Sequence, residues 1–202
     1  AFPAAQVTAI TLGPKARVNN ALLTAMAMGA DDSILIDAPE SLDAFTTAKA
    51  LAEAIKKEGA FHIIYGGKQA IDDSVSAVGP MLAEFLNIPH SSSVIKCDYS
   101  TGDKVVVQRE AEGGSLETFE LPIPALIAAN KGLNKPRFAS LPGIMKAKKK
   151  PIKEFTLADL GLSDAKAKIK YTQYELPKDR PACKMIGGEP ARRALVCRLQ
   201  SD

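Results

Sequence analysis

The sequence predicts an α/β fold: a mostly parallel, doubly wound sheet with helices packed on it, followed by an extended C-terminal arm. Three observations carry this prediction. Between Gln6 and Phe85, three short β-rich runs are each followed by a stretch of helical period, and strands alternating with helices build parallel sheets through right-handed crossovers. After Pro89 the period changes to that of strands, with a hairpin signal. Beyond Lys150 strong periodicity is lost.

Taken in order, Gln6 to Leu12 (QVTAITL) is a strand closed by Gly13-Pro14. Lys15 to Met28 then has helical spacing at Val18, Leu22, Ala25 and Met26, with Gly29 as a stop. Ser33 to Asp37 is the second strand, and Asp43 to Lys57 places Phe45, Ala48, Leu51 and Ile55 on one helical face before Gly59. Phe61 to Tyr65 is the third strand, Gly66 to Asp73 the turn, and Val75, Val78, Leu82 and Phe85 the buried stripe of the next helix. Ser92 to Tyr99 and Lys104 to Arg109 flank Ser100-Thr101-Gly102-Asp103, a hairpin, and Leu116 to Leu121 and Ala125 to Ala128 add strand material. The sheet is therefore expected to end in mixed or antiparallel pairing. Residues 1–150 form the α/β domain on this reading. Residues 151–202 form an arm, coreless to residue 187, which closes in a short helix carrying Leu195, Val196 and Leu199. An arm of that kind lies on another surface, its own domain's or a partner's.

With 202 residues, 46% of them hydrophobic, the chain can bury one sizeable core. Twenty-six basic residues against twenty-three acidic ones give a net charge of +3, a balance that points to neither a nucleic-acid nor a membrane partner. No apolar run is long enough to span a bilayer, so the chain is expected to be soluble, with no membrane insertion. Cys97, Cys183 and Cys197 are odd in number and lack metal-ligand spacing, which favours reduced thiols. His62 and His90 have no acid or nucleophile motif beside them and read as structural. Met81, Met145 and Met185 read as packing residues.

Two stretches invite a functional reading. Gly66 to Asp73 lies where doubly wound sheets take their ligands, and glycine there lets backbone N–H groups approach a phosphate. Asp72 and Asp73 argue partly against direct phosphate contact, because a carboxylate satisfies the same helix dipole; they are expected to cap the following helix or meet a ribose hydroxyl. From the residues alone, an ordinary βα turn with a capping aspartate is the plainer reading, since short glycine motifs are weak signals. The second stretch runs from Leu133 to Lys150. Pro136 and Pro142 stiffen the segment that carries Arg137, Phe138 and Leu141, as if for another molecule to grip. The bland alternative is a leucine that plugs its own domain. Lys146, Lys148, Lys149, Lys150 and Lys153 read as a solvated basic face, and Glu110, Glu112, Glu117 and Glu120 upstream form a patch of opposite sign. No constellation suggests hydrolysis or metal chemistry.

Val107 to Ala128 (VQREAEGGSLETFELPIPALIA) and Leu133 to Lys150 (LNKPRFASLPGIMKAKKK) together resemble the β subunit of electron transfer flavoproteins. Gly67 to Val78 (GKQAIDDSVSAV) and Met26 to Asp31 (MAMGAD) extend the likeness over nearly the whole chain. The resemblance implies a Rossmann-like, adenine nucleotide alpha hydrolase-like sheet. It implies a purine nucleotide enclosed by Leu12 and by Gly67, Lys68, Gln69, Ala70, Ile71, Asp72, Asp73, Ser74, Val75, Ser76, Ala77 and Val78. That nucleotide is AMP in simple carriers and a second FAD in electron-bifurcating ones, while the larger α subunit of the heterodimer holds the main FAD. Members of the family begin a strand-and-helix unit earlier, and that unit helps to form their nucleotide pocket.

By the same resemblance, residues 134–150 form a recognition loop that docks an acyl-CoA dehydrogenase-type flavoprotein. Leu141 is its anchor, with Arg137, Phe138, Pro142, Met145, Lys146 and Lys149 around it. Glu110 matches a carboxylate that pairs with an arginine of the α subunit; its bland alternative is an exposed strand-end charge contributing little. The implied function is electron carriage to an acceptor such as a quinone oxidoreductase, as in fatty acid β-oxidation, by a carrier subunit rather than an enzyme. The implied place is cytoplasmic in a bacterium and the mitochondrial matrix in a eukaryote. Two alternatives stand beside it: a subunit of a bifurcating complex, which Val78-Gly79-Pro80 keeps open, and a free-standing nucleotide-binding domain of the stress-protein type.

Overall fold

The computed structural model describes residues 5–99, 102–169, 172–173 and 175–179. The chain divides into two compact units, Ala1–Lys170 and Tyr171–Asp202. In the second, Gln173 Nε2 donates to Glu175 Oε1 at 2.6 Å. The expected closing helix with Leu195, Val196 and Leu199 lies outside the described residues.

The first unit opens with strand β1 (Thr8–Gly13), helix α1 (Lys15–Ala27), strand β2 (Asp32–Asp37) and helix α2 (Ala44–Glu58). On β2, the pleat sends neighbouring residues to opposite faces. Leu35 packs against Val18 and Leu22 of α1, whereas Ile36 packs against Ala50 and Ala54 of α2. Helices therefore cover both faces, which is the doubly wound arrangement the sequence predicts. Helix α2 is buried on more than one side: Ala48 and Ala52 meet Leu82, Ala83 and Leu126 in a second cluster. Alanine at all four positions keeps the helix thin enough to be enclosed from two directions.

Strand β3 (Ile63–Gly67), helix α3 (Val78–Leu86), β4 (His90–Asp98), β5 (Lys104–Glu110), β6 (Leu116–Pro122) and β7 (Ala125–Ala129) follow. Strand β7 runs parallel to both β3 and β4, and four of its five residues are buried, as expected for a strand paired on both sides. β5 pairs antiparallel with β4 and with β6, so the sheet ends in antiparallel pairing, as expected. Ser100 and Thr101 of the predicted hairpin turn lie outside the described residues.

Three features depart from the sequence reading. The pairings fall into two sheets, ordered β1-β2-β8 and β3-β7-β4-β5-β6. Helix α3 starts at Val78 rather than at Val75, which is exposed, because Ser74 and Ser76 hold positive φ and interrupt the helical path. Residues directly after Lys150 are not coreless either. Lys153–Thr156 forms β8, parallel to β2, and Leu160 and Leu162 join the cluster of Ile36, Ala50 and Ala54. The chain is then tied down once more at Asp43, the N-cap of α2. Asp43 Oδ1 accepts from Thr46 N at 2.9 Å, and Oδ2 accepts from the Lys168 and Ile169 N–H groups at 2.6 and 3.2 Å. Lys168 Nζ lies 3.7 Å from the Phe45 ring centroid.

Candidate functional site

The turn after β3 is an open loop with an internal frame. Lys68 N donates to Ala129 O at 3.2 Å and Ser74 N to Ala70 O at 3.2 Å, closing one helical turn. Asp73 Oδ1 accepts from Val75 N at 3.1 Å, Asp72 Oδ1 from Asp73 N at 2.9 Å, and Ser76 Oγ donates to Gln69 Oε1 at 2.9 Å. Each aspartate therefore braces the turn through one carboxylate oxygen. Neither caps α3: its N-cap is Ala77, with no side-chain hydrogen bond and no acidic residue in the first turn. This overturns the reading of an ordinary βα turn with a capping aspartate. The first turn of a helix carries amide donors without intrahelical partners, and here no side chain of the helix's own end meets them.

Gly67, Gln69 to Val75, and above all Ile71, lie exposed, while Lys68, Ser76, Ala77 and Val78 are partly covered. A Cβ built at Gly66 or Gly67 would meet nothing within 4 Å, and neither residue has positive φ. Neither conformation nor packing among the described residues calls for glycine there, and space is left open beside the backbone. Leu12 lies on β1, paired with Ile36 and packed against that residue's cluster.

An open groove of about 720 Å³ brings Lys68 of this turn together with Glu110 and its surroundings, Ser93, Arg109, Glu112 and Glu117 among them. Glu110 ends β5 and is not a loose strand-end charge: its Oε2 accepts from Asn130 Nδ2 at 2.8 Å. Asn130 is itself placed by its backbone N–H, which donates to Val94 O at 2.8 Å. Sequence reasoning missed Asn130, because nothing local marks an asparagine after β7 as a partner for a residue 20 positions away. The acidic patch is smaller than expected. Glu117 pairs with Arg109 at 2.7 Å and Glu120 with Lys104 at 3.0 Å across the β5–β6 ladder.

Helix α4 (Leu141–Ala147) carries the second candidate site. Ser140 is its N-cap, Oγ accepting from Gly143 N at 3.2 Å, and Pro142 stands in the first turn, where its missing N–H costs nothing. Leu141 is thus the first residue of a helix rather than the tip of a loop. Phe138 is 99% exposed, Leu141 73% and Met145 60%. Those exposures do not match a leucine plugging its own domain, nor Met145 as a packing residue. Arg137, Lys146 and Lys149 are exposed beside them. The basic face is also narrower than the sequence suggested. Lys153 pairs with Glu58, and Lys150 Nζ donates to Ala30 O and Asp31 O at 3.0 and 2.8 Å.

Other chemistry finds little support. Among the described residues no group of histidine, cysteine and acidic side chains is set to hold a metal ion. His62 and His90 are exposed. Burial pushes the Cys97 thiol above its ordinary range, opposite to what a nucleophilic thiolate needs. Cys183, Cys197 and Met185 lie outside the described residues. No helix among the described residues is long and apolar enough to cross a membrane.

Comparison with known proteins converges on one family. Residues 2–160 match the model of the electron transfer flavoprotein domain. The electron transfer flavoprotein subunit beta of Bacillus subtilis is 39% identical over 203 residues, 97% of this chain and 77% of that one. Its counterpart from Methylophilus methylotrophus is 42% identical over 161 residues, 78% of this chain and 60% of its own. The human counterpart is 40% identical over 181 residues, 88% and 69% respectively.

Proposed function

We propose, on the premise that this chain belongs to the electron transfer flavoprotein family as a beta subunit, that it is the small subunit of a heterodimeric carrier. That carrier takes electrons from acyl-CoA dehydrogenase-type flavoenzymes to an acceptor such as a quinone oxidoreductase. FAD, held mainly by the α subunit, supplies the redox chemistry. This chain's own residues bind, support and dock.

The observation that carries the reading is α4, a capped helix that displays Leu141 and Met145, with Phe138 before it, to solvent. Apolar side chains held outward on an ordered segment lose little entropy on docking, and such residues make hot spots. Lys146, Lys148 and Lys149 add charge at the rim, which steers encounter. The turn Gly67 to Val78 is the place for an adenine nucleotide, AMP or, in a bifurcating assembly, a second FAD. Its support is the open space beside Gly66 and Gly67 and the uncapped start of α3. Glu110, aimed by Asn130, is the carboxylate for an arginine of the α subunit.

The test is electron transfer. The chain purified with its α subunit should take electrons from an acyl-CoA dehydrogenase supplied with its acyl-CoA, read as bleaching of the heterodimer's flavin. A flavin heterodimer that the dehydrogenase leaves oxidised while a different donor reduces it would remove the dehydrogenase from the reading. Absence of any flavin heterodimer would remove the reading itself.

A further inference from the structure

Helix α4 buries a single side chain, Ala147, which joins Met26 and Ala30 in a small cluster. One buried methyl is a slight hold for a helix that displays so much apolar surface. Two other contacts, both with the segment Met26–Asp31, add to it.

The first is a close approach of backbones. A Cβ at Gly143 would stand 2.6 Å from Ala27 O and 3.0 Å from Ser140 Oγ, so α4 lies against the last carbonyl of α1 at a distance that only glycine allows without a shift. The second is Lys150. Helix α1 has no basic residue in its last turn, although a cation is favoured there by the helix dipole and by free carbonyls. Lys150, 120 residues further along the chain, instead places a cation on two carbonyls just beyond that helix's end. Its ammonium donates to Ala30 O and Asp31 O at 3.0 and 2.8 Å. Arg137 lies near the same turn, since a Cβ built at Gly29, where φ is +121°, would stand 3.9 Å from its Nη1.

We infer that Lys150 is a positioning residue for docking: by bridging the carbonyls of Ala30 and Asp31 it fixes α4 on the α1–β2 turn and so holds Leu141 in the pose the redox partner recognises. The inference rests on the docking role of Leu141 proposed above. It also assigns work to the Met26–Asp31 motif, which serves as the platform under α4. Lys150 differs in this from its neighbours Lys148 and Lys149, which act through charge at the rim.

The experiment uses the complete heterodimer with Lys150→Met, which keeps the aliphatic stem and removes the ammonium, and Lys150→Arg, which restores a cation. In Lys150→Met, amide hydrogen exchange across residues 138–148 of the free heterodimer should rise. The KM for an acyl-CoA dehydrogenase should rise by about fivefold or more as the competent pose loses population, with kcat and melting temperature unchanged. That loss should persist at high salt, and Lys150→Arg should recover most of it. In a double-mutant cycle, the KM penalty of Leu141→Ala should shrink in the Lys150→Met background, since a misplaced anchor has less to lose. Unchanged exchange would overturn the inference, as would a KM loss that high salt erases, because Lys150 would then be one more rim charge. If Leu141→Ala alone leaves KM unchanged, the docking reading fails; the exchange measurement still decides whether Lys150 holds α4.

Discussion

Replacing Leu141 by alanine should weaken docking of the dehydrogenase by about 5- to 30-fold, and the figure follows from exposure. Full burial of a leucine side chain is worth about 1.5–3 kcal/mol. Leu141 is 73% exposed in the free chain, so a pocket can remove only that share from water, leaving about 1–2 kcal/mol. The same exposure limits the cost to the fold. An exposed first residue of a helix, exchanged for a good helix former, should move stability by less than about 0.5 kcal/mol. The assay is steady-state flavin reduction against dehydrogenase concentration, for wild type and Leu141→Ala, at two ionic strengths. An apolar anchor predicts a raised KM at both salts, with flavin content and melting temperature unchanged. An unchanged KM would refute the reasoning, and so would a mutant heterodimer that melts several degrees earlier, since the leucine would then be packing within its own assembly.

Further perturbations separate the other parts of the account. Lys149→Ala should slow association and flatten its salt dependence while leaving dissociation nearly unchanged, because exposed charges steer encounter more than they hold a complex; stopped-flow rates at several ionic strengths give both. Gly67→Val should abolish nucleotide retention without unfolding the chain, since a side chain there meets only open space within the protein; stoichiometric nucleotide in the purified variant would take the turn out of the site. Asp43→Ala should cost about 1–3 kcal/mol, because it removes a helix cap and strands the Lys168 and Ile169 N–H groups; chemical denaturation measures it. Burial works to raise the Asp43 pKa, but hydrogen bonds from Thr46, Lys168 and Ile169 outweigh it and hold the carboxyl below its ordinary 3.8. The stability it contributes is therefore complete above that value and falls away as the pH drops through the lower folded value. Acid denaturation of wild type should show this loss, and Asp43→Ala should not.

Elements that carry their own start and stop were legible. Helix α2 runs from an Asp43 cap to Gly59 as its spacing and ends predict, and β2 shows as an apolar run between charged ends. Helix α3 was misjudged by one turn because Val75 and Val78 have helical spacing. What breaks the helix is the positive φ of two serines, a conformation serine does not advertise. Strand β8 was not visible at all: four residues, two of them charged, show no alternation, and the partner strand lies more than a hundred residues earlier. Lys150 is hidden in the same way. Within a run of lysines, the one that caps a distant turn is chemically identical to those that face water. At the candidate site, the stretches were legible and the contacts were not. Gly66-Gly67 and Leu141 are marked by residue type and by their prolines and glycines, whereas the hold of Asn130 on Glu110 exists only once β5 and β7 have been folded side by side.

The central claim is that this chain and a larger subunit form one flavin carrier, with an adenine nucleotide in the turn after β3. The most direct measurement is the nucleotide content of the denatured, co-purified complex, separated chromatographically and counted against protein. The account predicts a yellow heterodimer that releases FAD and AMP in equal amounts; FAD alone, two per heterodimer, would move the turn's ligand to a second flavin. A colourless homodimer or monomer that releases neither FAD nor AMP would contradict the account.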